Sequence, residues 1–225
     1  MATRARLGNR RVTGKEQYYT PPDVADYVVR RVLEFTPEAA TAQWLEPGAG
    51  TGAFVDALAR AGLRKVTAID IEPYHPKVRH ADFLDWQPNR RGLIAVGNPP
   101  FGRNNALSVP FFNHAATMCD TIAFIVPRSW RKWSVTNRLD MGFECLVDED
   151  LHVDYVDRDG APISSKGNLR TCLQIWRPAR HRRQPIVVPP SRWVTKCSPR
   201  EADIAMRVFG YGCGTLYTDL SLIHI

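Results

Sequence analysis

Thr41-Ala42-Gln43-Trp44-Leu45-Glu46-Pro47-Gly48-Ala49-Gly50-Thr51-Gly52-Ala53-Phe54 reads as a short strand, a glycine-rich turn and the start of a helix. Glycines at alternate positions let a backbone bend sharply and approach a ligand closely. Apolar residues at helical spacing, Val55, Leu58, Ala59 and Ala61, carry the helix on. Gly62 ends it. Val66-Thr67-Ala68-Ile69 is then a second buried strand, closing in Asp70-Ile71-Glu72. An acid about 20 residues after such a turn is where α/β folds hold a ribose by its hydroxyls. The spacing departs from G-x-G-x-x-G, which argues against a nicotinamide dinucleotide. A tight strand-to-helix turn with no ligand is the plainer alternative.

Two more strand ends follow. A third short strand precedes Ala81-Asp82-Phe83-Leu84, where Asp82 could bond an adenine amine and Phe83 cover its face; an ordinary Asx turn is the alternative. The apolar run Leu93-Ile94-Ala95-Val96 leads into Asn98-Pro99-Pro100-Phe101. A residue before proline is pushed towards extended angles, and each proline fixes its own φ and lacks an N–H. The loop is therefore stiff. It offers carbonyl oxygens, one side-chain amide and a flat ring, a set suited to gripping an exocyclic amine on a planar group. A proline-rich turn would account for the prolines but not for Asn98 and Phe101.

Taken together, these motifs resemble the class I S-adenosylmethionine-dependent methyltransferases, and within them the N6-adenine group with an Asn-Pro-Pro-aromatic loop. The resemblance implies a doubly wound, seven-stranded, mostly parallel α/β sheet, Rossmann-like, with an antiparallel final strand. It implies S-adenosylmethionine as cofactor, held by the loop from Leu45 to Phe54 (Glu46, Pro47, Gly48, Ala49 and Gly50 within it), by Asp70 and Ile71, and by Asp82 and Phe83. Gln17-Tyr18-Tyr19-Thr20-Pro21-Pro22, with the helix-like Val24 to Val29 behind it, resembles the segment that closes over the methionine end, which brings in Tyr19 and Thr20. Asn98, Pro99, Pro100 and Phe101 match the catalytic loop. There the Asn side-chain oxygen and the next carbonyl accept the amine hydrogens, and the ring stacks on a flipped-out base. Many relatives carry Tyr where this chain has Phe101. Gly102 lets the loop turn back; Asn104 and Asn105 read as solvated loop residues, with contact to the substrate backbone as the alternative.

Charge points to the substrate. The 225 residues carry a formal net charge of +7, which suits a polyanionic partner. No Asp or Glu lies between Asp159 and Glu201, whereas Lys166, Arg170, Arg177, Arg180, Arg182, Arg183, Arg192, Lys196 and Arg200 do. Phosphate contacts would explain that one-sidedness; a solvated linker is the alternative, and the preferred one for Arg180 to Arg183 alone. Pro127-Arg128-Ser129-Trp130-Arg131-Lys132-Trp133 interleaves base and aromatic, as phosphate contact plus stacking requires. Core anchoring of the two tryptophans fits equally. The candidate nucleic-acid contacts are Arg128, Trp130, Arg131, Lys132, Lys166, Arg182 and Arg183, with DNA preferred to RNA.

At 44% hydrophobic, the chain can bury one substantial core. We divide it into a basic arm (1–14), a catalytic domain (15–178) and a basic extension (179–225). Helix is expected from Phe111 to Met118 and from Pro199 to Phe209, and strand over Thr121–Val126, Leu151–Val156 and Thr171–Trp176. The ending Leu220-Ser221-Leu222-Ile223-His224-Ile225 resembles a translated sequencing adapter, so the native chain is expected to continue past Asp219; an apolar terminal strand is the alternative. Five scattered cysteines without C-x-x-C spacing fit reduced thiols in a cytoplasmic, bacterial or phage-encoded protein, monomeric by default. Six histidines form no H-x-x-x-H pair, so no metal is expected, and no apolar run suggests a membrane span. The leading function is N6-adenine methylation of DNA. The alternatives are the same chemistry on RNA, methylation of a glutamine amide in a protein, and a non-catalytic cofactor-binding remnant.

Overall fold

A computed structural model describes residues 18–163, 169–190, 192–198, 200–208 and 213–219. The residues divide into two compact units, one running up to Ile186 and one from Val187 onward.

The first unit is a seven-stranded sheet with helices on both faces. In chain order its elements are α1 (Pro22–Phe35), β1 (Trp44–Pro47), α2 (Ala53–Arg60), β2 (Val66–Asp70), β3 (Val78–His80), β4 (Leu93–Gly97), α3 (Ser108–Ala115), β5 (Cys119–Pro127), α4 (Trp133–Thr136), β6 (Phe143–Leu151) and β7 (Thr171–Pro178). The spatial order is β3-β2-β1-β4-β5-β7-β6. Strands β1 to β5 pair in parallel, and β7 runs antiparallel to both neighbours. This is the expected doubly wound α/β architecture with its antiparallel strand.

Alternate residues of the central strands supply two separate cores, because successive side chains point to opposite faces. Ile94, Val96, Ala123, Ile125, Leu173 and Ile175 pack on one face with Val28, Val29 and Val32 of α1 and Phe54 and Leu58 of α2. Leu93, Ala95, Ile122, Phe124, Cys172 and Trp176 pack on the other, around Phe112 of α3 and Trp130. Burial on both faces is why these strands read as unbroken apolar runs. Helix α2 stops as its sequence predicts: Gly62 (φ 78°) donates to Ala59 O at 3.0 Å and Leu63 to Leu58 O at 2.9 Å. Those bonds satisfy carbonyls the helix leaves open.

Several expectations need correction. Helix α3 begins three residues before Phe111 and ends at Ala115. The sixth strand is Phe143–Leu151, not Leu151–Val156, where only two isolated bridges at Val156 remain. Four carboxylates, at Glu144, Asp148, Glu149 and Asp150, disguise this strand in the sequence. It lies at the sheet edge, where charge is tolerated and guards against further pairing. The first unit also extends beyond Pro178. Ala179 N–H donates to Gly142 O (2.7 Å), Arg183 N–H to Met141 O (2.8 Å), and Asn137 exchanges two 2.9 Å bonds with the Ile186 backbone.

In the second unit Ala205–Met206 (β8) pairs antiparallel with Leu216–Tyr217 (β9) where a helix was expected over Pro199–Phe209. A helix that short is marginal without a packed face, and pairing wins. The expected arm at 1–14 and the ending 220–225 lie outside the described residues.

Candidate functional site

The strand order reverses between β1 and β4, and ligands of open α/β sheets bind beyond the strand ends at such a point. The segments singled out from sequence lie there. Gly48 and Ala49 donate to Ile69 O at 2.8 and 3.0 Å, which folds the turn after β1 against the end of β2. Gly50 has φ 48°, and a Cβ on it would come within 2.7 Å of the Tyr19 ring. Only glycine serves there. Tyr19 is pinned in turn by a two-way bridge to Val156 (2.9 and 3.1 Å). The closing segment is thus docked over the glycine turn.

One pocket is lined by Tyr18, Tyr19, Thr20, Glu46, Gly48, Ala49, Thr51, Phe54 and Asn98, among others. Two polar atoms in it are buried and lack a partner: Glu46 Oε2 and Asn98 Oδ1. Glu46 is 2% exposed. Burial pushes its carboxyl well above the usual range, only partly opposed by the backbone N–H groups of Val55 and Phe54. Asn98 is oriented by its other end, because Nδ2 donates to Tyr18 O at 3.4 Å. A carbonyl can only receive, so the amide nitrogen must face Tyr18 and the oxygen must face away. Unsatisfied buried acceptors are costly. Two unpartnered atoms lining one pocket are free to bond a ligand there.

Asp70 does more than its position suggested. Its Oδ2 accepts Gly50 N–H and its Oδ1 accepts Glu72 N–H, both at 2.7 Å. Burial raises its pKa, against the pull of those two bonds. The acid therefore ties the glycine turn to β2, with lone pairs left for a hydroxyl. Ile71 beside it is 37% exposed and can present an apolar face to a ring. Asp82 is exposed and closes an Asx turn on Leu84 N–H at 2.9 Å.

Phe83 corrects its expected role as a cover for a ligand ring. It is 2% exposed, with its ring packed 5.1 Å from Phe111 and 4.8 Å from His114. Its face belongs to the core.

The stiff loop after β4 keeps Pro99 buried and Phe101 half-buried. Phe101 O accepts Leu107 and Ser108 N–H at 3.3 and 3.4 Å. Gly102 (φ 67°) makes the turn, and a Cβ there would meet Leu107 at 2.9 Å. Asn105, read as solvated, is 5% exposed and bonded to Ser129 Oγ at 3.1 Å.

The basic residues divide sharply. Trp130 is 1% exposed, bonds Ser108 Oγ at 3.2 Å and stacks edge-on with Phe112, so it is a core anchor and not a base-stacking residue. Arg131 binds Asp148 and Asp150 of β6, and Arg128 binds Asp150, at 2.7 Å each; their charge is offset within the chain. Arg183 donates to the Phe143 and Asp140 carbonyls with its guanidinium 5.2 Å from the Trp176 ring centroid, clamping the chain after β7. Lys132 and Arg182 remain exposed, and Lys166 lies outside the described residues. Sequence reading overlooked Arg138, which lines a groove with Lys132 and Phe101. Its place just past the end of α4, close in sequence to Lys132, was the available signal.

Among the described residues no cluster of His, Cys, Asp or Glu could hold a metal ion, and no helix is long and apolar enough to cross a membrane.

No family model matches the chain. A type II methyltransferase of Haemophilus influenzae, M.HincII, is 28% identical over 95 residues, 41% of this chain. The chain covers only 18% of that relative's length. Among solved structures, one from Pyrococcus horikoshii, assigned as an RNA methyltransferase, superposes with a TM-score of 0.58 at 18% identity, covering 72% of this chain and 87% of that one. One from Listeria monocytogenes, assigned to the class I S-adenosylmethionine-dependent methyltransferases, superposes at 0.51 with 15% identity over 82% and 68%. The fold is the Rossmann-like class I methyltransferase fold.

Proposed function

We propose that this chain binds S-adenosylmethionine and methylates the N6 amine of adenine in DNA. One observation carries the reading: Asn98, anchored through Nδ2 to Tyr18, holds Oδ1 buried and unpartnered in the same pocket as the unpartnered Oε2 of Glu46. That pair fits an ammonium beside an amine substrate. Glu46 would hold the methionine ammonium and the glycine turn the backbone of the cofactor. Asp70 would hold the ribose hydroxyls, Ile71 would pack on the adenine ring, Asp82 would reach its amine, and Tyr19 and Thr20 would close the methionine end.

Adenine N6 is a poor nucleophile because its lone pair is delocalised into the ring. Asn98 Oδ1 and Pro99 O would accept its two hydrogens, draw the nitrogen towards tetrahedral geometry and stabilise the positive charge that develops. This is preorganised electrostatic catalysis with the sign of an oxyanion hole reversed. Prolines hold the acceptors still, so little reorganisation accompanies the step. When bound, the sulfonium would supply an activated methyl: the N–C bond would form as the S–C bond breaks and leaves a neutral thioether, and the excess proton of the amine would pass to solvent. Phe101 would stack on the flipped base.

The test supplies labelled S-adenosylmethionine with single-stranded DNA, duplex DNA, RNA and a protein extract, comparing wild type with Asn98→Ala. Label on DNA adenine that disappears in the variant supports the proposal. Label on RNA alone transfers the chemistry to the other polynucleotide, and label only on protein overturns it.

A further inference from the structure

Beside the catalytic loop lies a groove of about 470 Å³ lined by Phe101, Asn104, Ser129, Lys132, Ser134 and Arg138, among others. Asn98 lines the cofactor pocket and Phe101 lines this groove, so the four-residue loop borders both. No carboxylate appears among the groove's lining residues. Lys132 is exposed and forms no ion pair among the described residues. Arg138 is likewise exposed, and its guanidinium donates to Asn104 O at 3.1 Å, a neutral partner, with no ion pair among the described residues. The contrast with Arg128 and Arg131, a few residues upstream and bound to Asp148 and Asp150, is clear.

We infer that this groove seats the phosphodiester backbone next to the target base, with Lys132 and Arg138 as its phosphate contacts. The inference rests on the amine-clamp reading of Asn98 for the identity of the base, but its own content is the polynucleotide track. Among the described residues the groove has cations without counter-ions, hydroxyl and amide donors from Ser134 and Asn104, and an aromatic ring at one side. Phosphate oxygens accept from all of these, and a base stacks on the ring. A glutamine side chain in a protein brings no anion to satisfy the two cations. Lys132 and Arg138 thus act as positioning residues: they hold the strand, while Asn98 acts on the amine.

The experiment uses the full chain and fluorescein-labelled DNA and RNA oligonucleotides of about 12 nucleotides, each with one adenine. Binding is read by anisotropy across a salt series for wild type, for the double variant Lys132→Gln/Arg138→Gln, and for Arg131→Gln. Glutamine at 138 keeps a donor for Asn104 O and removes only the charge. Each lost single-strand phosphate contact should lower the slope of log affinity against log salt by about 0.7, so the double variant should lose about 1.4. Cofactor affinity, read by calorimetry, should stay unchanged, and Arg131→Gln should keep the wild-type slope. An unchanged slope in the double variant, or an equal loss in Arg131→Gln, overturns the groove assignment. If the double variant fails to fold, Lys132→Gln alone, at an exposed side chain, should still lose about 0.7. A normal slope loss with methylation indifferent to Asn98→Ala would sink the amine clamp and leave the groove standing. Loss of label in Asn98→Ala with no slope change would do the reverse. DNA and RNA arms that behave alike show that the shared phosphodiester is what is recognised.

Discussion

The left and right halves of the sheet handle polar groups in opposite ways. At the ends of β1 and β4, Glu46 and Asn98 each leave a buried oxygen without a partner. At the end of β5, Arg128 and Arg131 are matched to Asp148 and Asp150 on β6. Unmet hydrogen-bonding capacity leaves an atom free to bond a ligand, whereas matched charges brace the scaffold. Residue type does not separate the two conditions. An Arg-Ser-Trp-Arg run looks more like a binding motif than a lone Glu, yet here the Glu lines the pocket and the arginines brace the sheet.

The largest effect should fall on the scaffold. Trp130→Ala removes a fully buried ring from the Phe112 cluster and should cost about 3–5 kcal/mol of stability, measured by denaturant unfolding. Wild-type stability in that variant would dissolve the contrast. Next comes the proposed amine clamp: Asn98→Ala should reduce turnover by roughly 10²–10³ with cofactor affinity kept, as loss of one preorganised partner does. A matching loss of cofactor affinity would make Asn98 a packing residue.

Glu46 gives a smaller, pH-dependent effect. Its pKa is raised, so it is protonated over a wider range than an ordinary carboxylate, and only its ionised form attracts an ammonium. Cofactor affinity should therefore rise with pH through the raised pKa and fall as pH drops below it. Calorimetric titrations of Glu46→Gln should show weaker binding with that pH dependence gone; an unchanged profile would remove Glu46 from the site. The smallest effect belongs to Trp133. It is 51% exposed, three residues beyond the buried Trp130, and Trp133→Ala should change stability by no more than about 0.5 kcal/mol. A loss as large as that of Trp130→Ala would mean the two tryptophans share one environment.

Much of the left half was legible because its signals are local. Gly48 to Gly52, Asp70 and Asn98-Pro99-Pro100-Phe101 announce backbone geometry within a few residues. Strand β4, which leads into the last of them, is apolar throughout because both its faces are covered. The right half was harder to read. The carboxylates of β6 hid a strand behind an acidic run, and the partners of Arg131 lie 17 and 19 residues away. Phe83 misled for a related reason: a ring at a strand end can face ligand or core, and only the position of α3 decides.

The amino-acid sequence alone determined the glycine turn and the stiff Asn-Pro-Pro-Phe loop, through glycine's freedom at positive φ and proline's fixed φ, while the doubly wound fold was what the resemblance of these motifs implied. Tertiary structure decided which charges are spent and which remain. Tyr18 O takes the amide of Asn98, Asp148 and Asp150 take the arginines, and Lys132 and Arg138 keep theirs. Whether a polar group is satisfied depends on what distant chain brings against it, and no stretch of sequence contains its own partner across the sheet.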